Sequence, residues 1–475
     1  MKKIFLILGS ALLMLTSCDG DLESLNVNPK APIDNPPSGY LFSSGVVTGM
    51  NQMNTLNVNR SVFRHLTQQL ADVTYREGTR MNFRRRDVAD AHWNQLYYAL
   101  NALNTSKTII VNEPVDANVK KNRLAMVDAM QVYFYQILVD SYGNIPYSQS
   151  LKVDENLSPK YDDAKTIYLD LLTRINADIN ALNTSSAGFG TDDIIYGGDI
   201  VKWKKLMNSI KLKLGMNLAD VDAALSKSTV ESAYNSGVFT SNDDSAIIKY
   251  QPTGVFTSPL YEDLVLSGRV DFCATNTIIT YLKNNNDPRI GKYFTTAASG
   301  DNVGEYVGGV FGLNPTAAQT LSLINPSISV ADGLGYLTDY VEIKFLLAEA
   351  AARGYAVGTA AMHFDQGITA SLDHWKVNAV DKTAYLATHN YSVQSASGQP
   401  WKKIIGNEAW IAMYNRGFEA WTFSRRLDNM TYSPTPPVRV LYPIKEYSIN
   451  STNVAEASTA IGGDKQTVKL FWDKY

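Results

Sequence analysis

The stretch Leu138-Val139-Asp140-Ser141-Tyr142-Gly143-Asn144-Ile145-Pro146-Tyr147 joins an apolar helical pattern to a turn. Before it, apolar residues recur three or four positions apart from Leu124 to Val139, which predicts an amphipathic helix. Gly143 and Pro146 end that helix, because glycine favours a C-terminal cap and proline cannot continue a helix. The stretch therefore predicts a helical layer followed by a sharp turn.

Other segments of the chain repeat this helical spacing. They are Val88 to Ile110, Ile167 to Leu182, Trp203 to Leu218, Val341 to Ala352 and Asn407 to Phe423. Helices of this length joined by short turns pack in pairs, as in tetratricopeptide-type proteins, although no strict repeat is visible. The predicted fold class is mainly α, with a tetratricopeptide-like scaffold of helical pairs and long irregular loops.

Residues from about 225 to 335 have a different composition. They are rich in Gly, Ser, Thr, Asn and Asp, as in Ser241–Asp244 and Val303–Gly312, and the helical periodicity fades there. Long irregular segments within a regular scaffold usually carry function. We therefore predict a glycine-rich insertion within a single domain that spans residues 41–475.

The N-terminus has the features of a lipoprotein signal. Lys2 and Lys3 precede an apolar run, Ile4 to Leu15, which is too short to span a bilayer as a helix. The sequence Leu15-Thr16-Ser17-Cys18 then forms a lipobox, which predicts removal of residues 1–17 and lipidation of Cys18. An ordinary signal peptide that contains a cysteine is the alternative, but this cysteine falls where the cut is expected.

The segment that follows the lipobox is predicted to be an extended tether. Residues 18–40 contain Asn28-Pro29, Ala31-Pro32 and Pro36-Pro37, and proline keeps a segment extended and non-helical. We therefore expect a lipid-anchored tether over residues 18–40 that joins the membrane to the folded domain.

The composition is that of an ordinary globular protein. Hydrophobic residues make up 45% and charged residues 19% of the chain, and the net charge is −3. No strong positive field favours nucleic acid as a partner. With Cys18 lipidated, Cys273 has no partner for an internal disulfide, and we expect it to be a small buried apolar residue.

The content of aromatic residues is high. The chain has 27 Tyr, 7 Trp and 16 Phe, and Tyr and Trp suit surfaces that are partly apolar and partly wet. We expect most of these rings to lie in the core. In an exported protein of low net charge, the remaining rings indicate recognition of polar, uncharged ligands such as sugars.

Motifs for nucleophilic, metal or phosphate chemistry are absent from the sequence. The histidines show no metal-ligand spacing, and we predict neither metal nor cofactor. Asp192-Asp193 and Asp243-Asp244 could bind Ca²⁺, but they lack the pattern of a calcium loop, and we interpret them as turn residues. A pair of carboxylates for glycoside hydrolysis needs only suitable spacing in the fold, so the sequence leaves that alternative open.

A cluster of arginines lies near Tyr75 and Phe83. It consists of Arg80, Arg84, Arg85 and Arg86. Such a cluster could bind an anionic ligand through bidentate hydrogen bonds. The favoured alternative is a solvated surface on which these side chains pair with Asp87 and Asp90.

Several stretches along the chain together resemble the SusD/RagB family of outer-membrane nutrient-binding lipoproteins, and most of all its SusD-like branch. They are Cys18 with the acidic residues after it, Leu25–Pro32, Leu138–Tyr147, Glu342–Ala350, Arg416–Trp421 with Arg425-Arg426, and Arg439–Pro443 with Glu446, Asn450 and Asn453. Each stretch alone is weak, but their order along the chain is specific. Within them, Glu342, Glu349, Arg425 and Arg426 are candidates for ion pairs between helical layers.

The resemblance implies a function as well as a fold. It implies a non-catalytic lipoprotein at the cell surface that binds an oligosaccharide, or less favourably a peptide. It also implies delivery of that ligand to a SusC-like TonB-dependent transporter in the outer membrane. The alternatives are a lipid-anchored glycoside hydrolase or other secreted enzyme, and a passive structural adaptor.

The ligand contacts are expected to be aromatic and polar residues in irregular segments, because family members bind through variable loops. The candidates are Tyr75, Arg76, Asn82, Phe83, Trp93, Tyr306 and Phe311. Trp93 lies at helical spacing with Leu96 and Leu100, which favours core burial over ligand contact. If these residues do not bind ligand, the next candidate region surrounds Phe256 and Tyr261.

Overall fold

The helix that ends in the Leu138–Tyr147 stretch lies at the centre of the fold. In the computed structural model, which describes residues 36–152, 155–313 and 317–475, this helix spans Ala117–Tyr142. It begins earlier than predicted because the carboxylate of Asp116 caps a polar first turn that has no apolar pattern. Every residue from 125 to 142 is buried, and Gly143, at φ +84°, ends the helix as the sequence predicts.

The helices, in chain order, are α1 (Ser38–Asn54), α2 (Phe63–Leu66), α3 (Val88–Asn112), α4 (Ala117–Tyr142), α5 (Ala164–Ala181), α6 (Ile200–Asn217), α7 (Ala223–Ser236), α8 (Pro259–Tyr261), α9 (Asn276–Asn284), α10 (Ile290–Tyr293), α11 (Tyr340–Ala352), α12 (Ala360–His374), α13 (Ala379–His389), α14 (Tyr391–Ala396), α15 (Trp401–Ala412), α16 (Gly417–Leu427), α17 (Glu446–Ile449) and α18 (Ser451–Ala460). The strands are β1 (Leu70–Asp72), β2 (Ile145–Pro146), β3 (Tyr161–Asp162), β4 (Ala246–Lys249), β5 (Phe272–Ala274) and β6 (Leu334–Thr338).

Neighbouring helices along the chain pack against each other. Helix α3 contacts α1 and α4, and the series continues through α5, α6 and α7 before α11 packs on α12. This confirms the predicted mainly helical fold, and the predicted helices that begin near residues 88, 167, 203 and 341 are all present as α3, α5, α6 and α11. The apolar spacing located them because their buried faces form one continuous core.

The prediction of one helix from Asn407 to Phe423 is wrong. The segment forms α15 and α16, with a break before Gly417. A β-carbon at Gly417 would lie only 2.7 Å from the backbone nitrogen of Arg64, so glycine allows α16 to pack closely on α2. The break also directs Arg416 into the core. The apolar pattern continues across the break, which is why the sequence conceals it.

The irregular insertion is attached to the scaffold by two small antiparallel sheets. Strand β4 pairs with β6, and β5 pairs with β1 in the register Ala71 opposite Cys273. Helix α7 continues to Ser236, so the predicted start of the insertion near residue 225 falls inside a helix. The long segment between β4 and β6 contains only short helices and strand β5 in its described residues.

Residues Ser38–Tyr475 form one compact unit. Helix α1 begins at Ser38, so the last residues of the predicted tether lie in its first turn. Cys18, the predicted signal peptide and the rest of the tether fall outside the described residues. Among the described residues, no helix has the length and apolar character needed to cross a bilayer.

Most of the aromatic residues lie in the core, as expected from the sequence. The largest fully buried rings include Trp203, Trp410, Trp421 and Trp472. Buried tyrosines place their hydroxyl groups on backbone acceptors, as Tyr142 does on the carbonyl of Ala89 at 2.6 Å. The ligand-binding candidates must therefore come from the smaller set of exposed rings.

Of the four residues that the sequence suggests as ion-pair partners, Glu342, Glu349 and Arg426 form ion pairs, and Arg425 makes other contacts. Glu349 binds Arg426 at 2.9 Å, whereas Glu342 binds Arg416 at 2.5 Å and Lys213 at 2.8 Å. In the part of the chain that the structure describes, no carboxylate lies within ion-pair distance of Arg425. Its guanidinium instead lies 3.3 Å from the ring centroid of Trp421 and donates to backbone carbonyls.

Asp140, within the stretch that ends α4, connects four parts of the fold. Its carboxylate accepts hydrogen bonds from Tyr168 of α5, from Asn217 of α6 at 3.0 Å and from Trp472 near the C-terminus at 2.8 Å. Burial raises the pKa of Asp140 to about 6, and the hydrogen bonds only partly oppose that effect. The folded protein therefore holds this proton more tightly than the unfolded chain does.

This raised pKa predicts a pH-dependent contribution to stability. The contribution of Asp140 is greatest below the ordinary carboxyl pKa of about 4 and is lost as pH rises through about 6. We expect the difference in unfolding free energy between wild type and Asp140→Asn to fall by about 3 kcal/mol across that range. Urea unfolding of both proteins at several pH values measures this difference, in which the other carboxylates cancel. A difference that does not vary with pH would contradict the prediction.

Candidate functional site

Two of the predicted ligand contacts are buried. Phe83 and Phe311 are only 5% and 7% exposed, with Phe83 in the main core and Phe311 in a small cluster with Ala71 and Cys273. Their rings cannot cover a sugar without rearrangement, so these two assignments are corrected. The local sequence of both resembles a polar loop, whereas Phe311 is buried against Ala71 and Cys273, which the pairing of β1 with β5 brings together, and Phe83 is buried in the main core.

Tyr75 is partly exposed, but other side chains already lie over its ring. The guanidinium groups of Arg86 and Arg269 lie 4.2 and 4.5 Å from the ring centroid. Arg86 is bound to Glu77 at 3.1 Å and Arg269 to Asp271 at 2.9 Å. Arg86 of the arginine cluster is therefore paired, but with Glu77 and not with the expected Asp87 or Asp90, and Arg269 lies outside that cluster. Arg76 and Asn82, from the same loop, are exposed.

The carboxylate of Asp72 contacts the loop that carries Tyr75 and holds it in place. One carboxylate oxygen accepts the backbone N–H of Thr79 at 2.8 Å, and the other lies 2.8 Å from the imidazole of His65. Burial alone would raise the pKa of Asp72, but His65 and Thr79 outweigh it and hold that pKa below its usual range. The carboxylate therefore stays ionised and holds the loop in one conformation.

The two segments that the sequence selected are neighbours in the fold. Phe311 belongs to a cluster against which Met81 packs, and Gly312 lies close to the carbonyl oxygen of Thr79. Gly309 forms a bridge to Thr275, next to β5. The irregular glycine-rich segment of residues 305–312 thus runs from the Tyr75 loop to Tyr306.

Tyr306 lies on the wall of a cleft of about 650 Å³, which we call the Tyr306 cleft. One side is residues 282–290, and the opposite side is helix α13. Its lining includes Lys283, Asn285, Asn286, Asp287, Tyr306, Asp381, Tyr385 and Thr388. The ring of Tyr306 is partly buried, and its hydroxyl lies above Gly291, where a β-carbon would be 2.9 Å away. An aromatic ring beside amide and hydroxyl groups can bind the apolar face and the hydroxyl rim of a sugar.

A network of buried ion pairs and hydrogen bonds lies beneath the Tyr306 cleft. Fully buried Arg289 binds Asp287 at 2.6 Å and Glu408 at 2.5 Å, and the hydroxyl of Tyr385 donates to Glu408 at 3.0 Å. His389 stacks on Tyr385 with ring centroids 4.2 Å apart. Burial and the carboxylate of Glu408 raise the pKa of Tyr385 well above its usual range, so its hydroxyl remains a donor. The cleft is therefore formed before a ligand arrives.

Trp93 is 5% exposed and packs against Tyr97, Tyr142 and Tyr161, as the core interpretation expected. It also borders a second groove, between α3 and the segments on either side of residues 153–154. The fallback residues Phe256 and Tyr261 are partly exposed, and the ring of Phe256 packs on Tyr250.

The described residues offer little for catalysis. No group of three or more His, Cys, Asp or Glu among them could hold a metal ion. Burial raises the pKa of the Cys273 thiol to about 12, which leaves it protonated and a poor nucleophile. In the Tyr306 cleft, Asp287 is bound to Arg289 through both oxygens, and Asp381 accepts a hydrogen bond from Asn378 at 2.7 Å. Neither carboxylate resembles the free acid and base of a glycosidase.

The acidic pairs considered for Ca²⁺ have structural partners. The carboxylate of Asp193 accepts the indole N–H of Trp203 at 2.7 Å and backbone N–H groups of its own turn. Asp244 binds Lys205 at 2.9 Å and the backbone N–H of Thr240 at 2.7 Å. These contacts support the interpretation of both as turn residues.

Comparison with known proteins identifies the family. Residues 30–443 match the SusD-like family described as starch-binding and associating with the outer membrane. The chain belongs to the SusD-like family. None of the proteins with curated descriptions matches this SusD-like protein.

Solved structures have the same fold. A chitin-binding protein superposes with a TM-score of 0.79 at 25% identity, covering 93% of this chain and 100% of its own. A SusD homologue from Bacteroides uniformis gives 0.77 at 25% identity with the same coverage. A chitin-binding SusD homologue from Flavobacterium johnsoniae gives 0.74 at 22% identity, covering 91% and 98%.

The sequence missed most of the Tyr306 cleft. Of its lining residues, only Tyr306 was a candidate, because it lies in the glycine-rich segment. The opposite wall comes from α13, about a hundred residues later in the chain, where Asp381 and Thr388 lie in an ordinary amphipathic helix. No local pattern marks these residues as part of a site.

Proposed function

We propose that this SusD-like protein is a non-catalytic lipoprotein of the cell surface that captures an oligosaccharide in the Tyr306 cleft. The observation that carries the proposal is membership, over residues 30–443, of a family described as starch-binding and associating with the outer membrane. The cleft supports it, because Tyr306 offers a ring and Asn286 and the hydroxyl of Thr388 offer neutral hydrogen-bonding groups, whereas the Asn285 amide is already bound to Tyr281 and His389. A peptide is the less favoured ligand.

The role in uptake follows from the same proposal. Cys18 anchors the protein to the outer membrane through its lipid, and the tether lets the folded unit move over a SusC-like TonB-dependent transporter. The captured glycan then passes to the transporter. An interface of more than about 2,000 Å² is expected for such a lasting complex.

The comparisons suggest which glycans to test. A structural relative at 25% identity is named a chitin-binding protein, and the family description names starch. Chitotetraose and maltotetraose are therefore the first ligands, with cellotetraose as a third. Affinity between mM and μM, or roughly −4 to −8 kcal/mol, is expected, because an open cleft removes little water and a capture protein must release its ligand.

We expect Tyr306→Ala to weaken binding of the preferred tetrasaccharide by about tenfold or more. The substitution removes the ring that covers the sugar face, and a partly buried side chain in a loop contributes little to stability. Isothermal titration calorimetry measures the binding, and the melting temperature should stay unchanged. Tyr40→Ala, which removes an exposed ring on α1, is the matched control.

Two outcomes would contradict the proposal. Wild-type affinity together with an unchanged number of bound saccharides in Tyr306→Ala would place the site elsewhere. Release of reducing ends from any of the sugars, abolished by substitution of one Asp or Glu, would favour the glycoside hydrolase instead.

A further inference from the structure

A groove of about 420 Å³ lies between helix α3 and the chain segments 149–152, 156–159 and 446–450, and we call it the Trp93 groove. Trp93, Tyr97 and Asn101 follow one another at intervals of four residues, so they lie along one face of α3. Its volume falls within the range of small-molecule sites. None of its lining residues belongs to the Tyr306 cleft.

The aromatic part of the Trp93 groove is held in place by the protein. The hydroxyl of Tyr97 donates to the carbonyl of Pro146 at 2.6 Å, and its ring lies 4.9 Å from that of Trp93. Tyr98 is 62% exposed, and Leu157 and Ile449 are also exposed at the edge. Exposed rings and aliphatic groups fixed beside a groove can cover the C–H face of a sugar.

The polar part of the Trp93 groove consists mainly of neutral amides: Asn101, Gln149, Asn156 and Asn450. Both groups of the Asn156 and Asn450 amides are already hydrogen-bonded within the protein. Gln149 accepts hydrogen bonds from Asn156 at 2.9 Å and from the backbone N–H of Lys160 at 3.0 Å, which leaves its NH₂ group to donate. Of the charged lining residues, Glu446 already accepts a hydrogen bond from Tyr161 at 2.7 Å, and Lys152 is exposed. An anionic ligand would need more cations than this.

We propose that the Trp93 groove is a second binding site for a neutral saccharide, separate from the Tyr306 cleft. The inference rests on the proposed glycan-binding function and extends it, because one chain would then bind two saccharide segments. The exposed ring of Tyr98 supplies the stacking surface, and Asn101 with the NH₂ group of Gln149 can pair with hydroxyl groups without the desolvation cost of a charge. Two sites would retain a polymer better than either site alone.

The test is the number of saccharides that the full mature chain binds. Calorimetry with chitotetraose, maltotetraose and cellotetraose should give two sites for the sugar that binds best. Tyr98→Ala and Tyr306→Ala should each remove one site, and the double variant should bind none. Tyr98→Phe should keep both sites, because it keeps the ring. Tyr40→Ala, with an equally exposed ring elsewhere, should bind as wild type does.

The outcomes separate this inference from the proposed function. A single site that Tyr98→Ala leaves intact would overturn the second site and leave glycan binding at the Tyr306 cleft standing. A single site that only Tyr98→Ala removes would keep the groove as a saccharide site and overturn the cleft. No binding of any of the three sugars by wild type would overturn the groove and the proposed function together.

Discussion

Glu349→Ala should destabilise the folded unit by about 3–5 kcal/mol. Glu349 is fully buried on α11 and binds Arg426 of α16 through three hydrogen bonds of 2.9–3.1 Å. Arg426 in turn donates to Asn217 at the end of α6. Glu349 also binds Arg353 at 3.0 Å, and Arg353 keeps Asp220 as a second partner. Removal of the carboxylate would leave the buried guanidinium of Arg426 without its counter-charge.

The stability of Glu349→Ala can be measured by urea unfolding. Glu456→Ala removes an exposed glutamate from α18 and should unfold as wild type does. The double variant Glu349→Leu with Arg426→Met should recover most of the loss, because an apolar pair can replace a buried ion pair. If the unfolding free energy of Glu349→Ala lies within about 1 kcal/mol of wild type, this buried ion pair contributes no more than a solvent-exposed pair does, and the prediction is wrong.

Cys18→Ala should move the protein from the membrane fraction to the soluble fraction. Each buried CH₂ of an acyl chain contributes about 0.8 kcal/mol to membrane binding, so an anchor with several chains is held almost irreversibly. The described part of the folded unit has no helix that could replace it. Fractionation of cells that express each form measures the change.

The control for Cys18→Ala is Ser17→Thr, which keeps a small residue before the cysteine. It should stay in the membrane fraction. If Cys18→Ala also stays there, a second anchor exists. The membrane fraction of wild type, extracted in mild detergent, should also carry a larger barrel protein if the transporter is the partner.

The sequence predicted the helices well because their signal is local. In α4 the apolar residues located the helix, although residues 125 to 142 are buried on every face and the helix is not amphipathic there, and Gly143 ends it through its own backbone preference. The prediction of a single helix was wrong at Gly417, because the apolar pattern continues across the break between α15 and α16. The break there depends on Arg64, which is more than three hundred residues away in the sequence.

The candidate sites were less predictable, since they depend on which rings the fold leaves exposed. Phe83 and Tyr75 have similar local sequences, yet one is buried and two guanidinium groups lie over the other. Tyr98 was not a candidate, because ligand contacts were expected in irregular segments and Tyr98 lies within helix α3, where it is 62% exposed. The strand pairing between β1 and β5 could not be read from either segment alone.

Because Cys273 is buried, the protein can be labelled with a fluorescent dye at a single introduced cysteine. The sequence has two cysteines, and Cys18 is predicted to carry the lipid. Cys273 is fully buried and, with its raised pKa, should not react with maleimide dyes. A variant such as Tyr40→Cys would then carry the one thiol that takes up dye, so capture and release could be followed by single-molecule imaging on living cells.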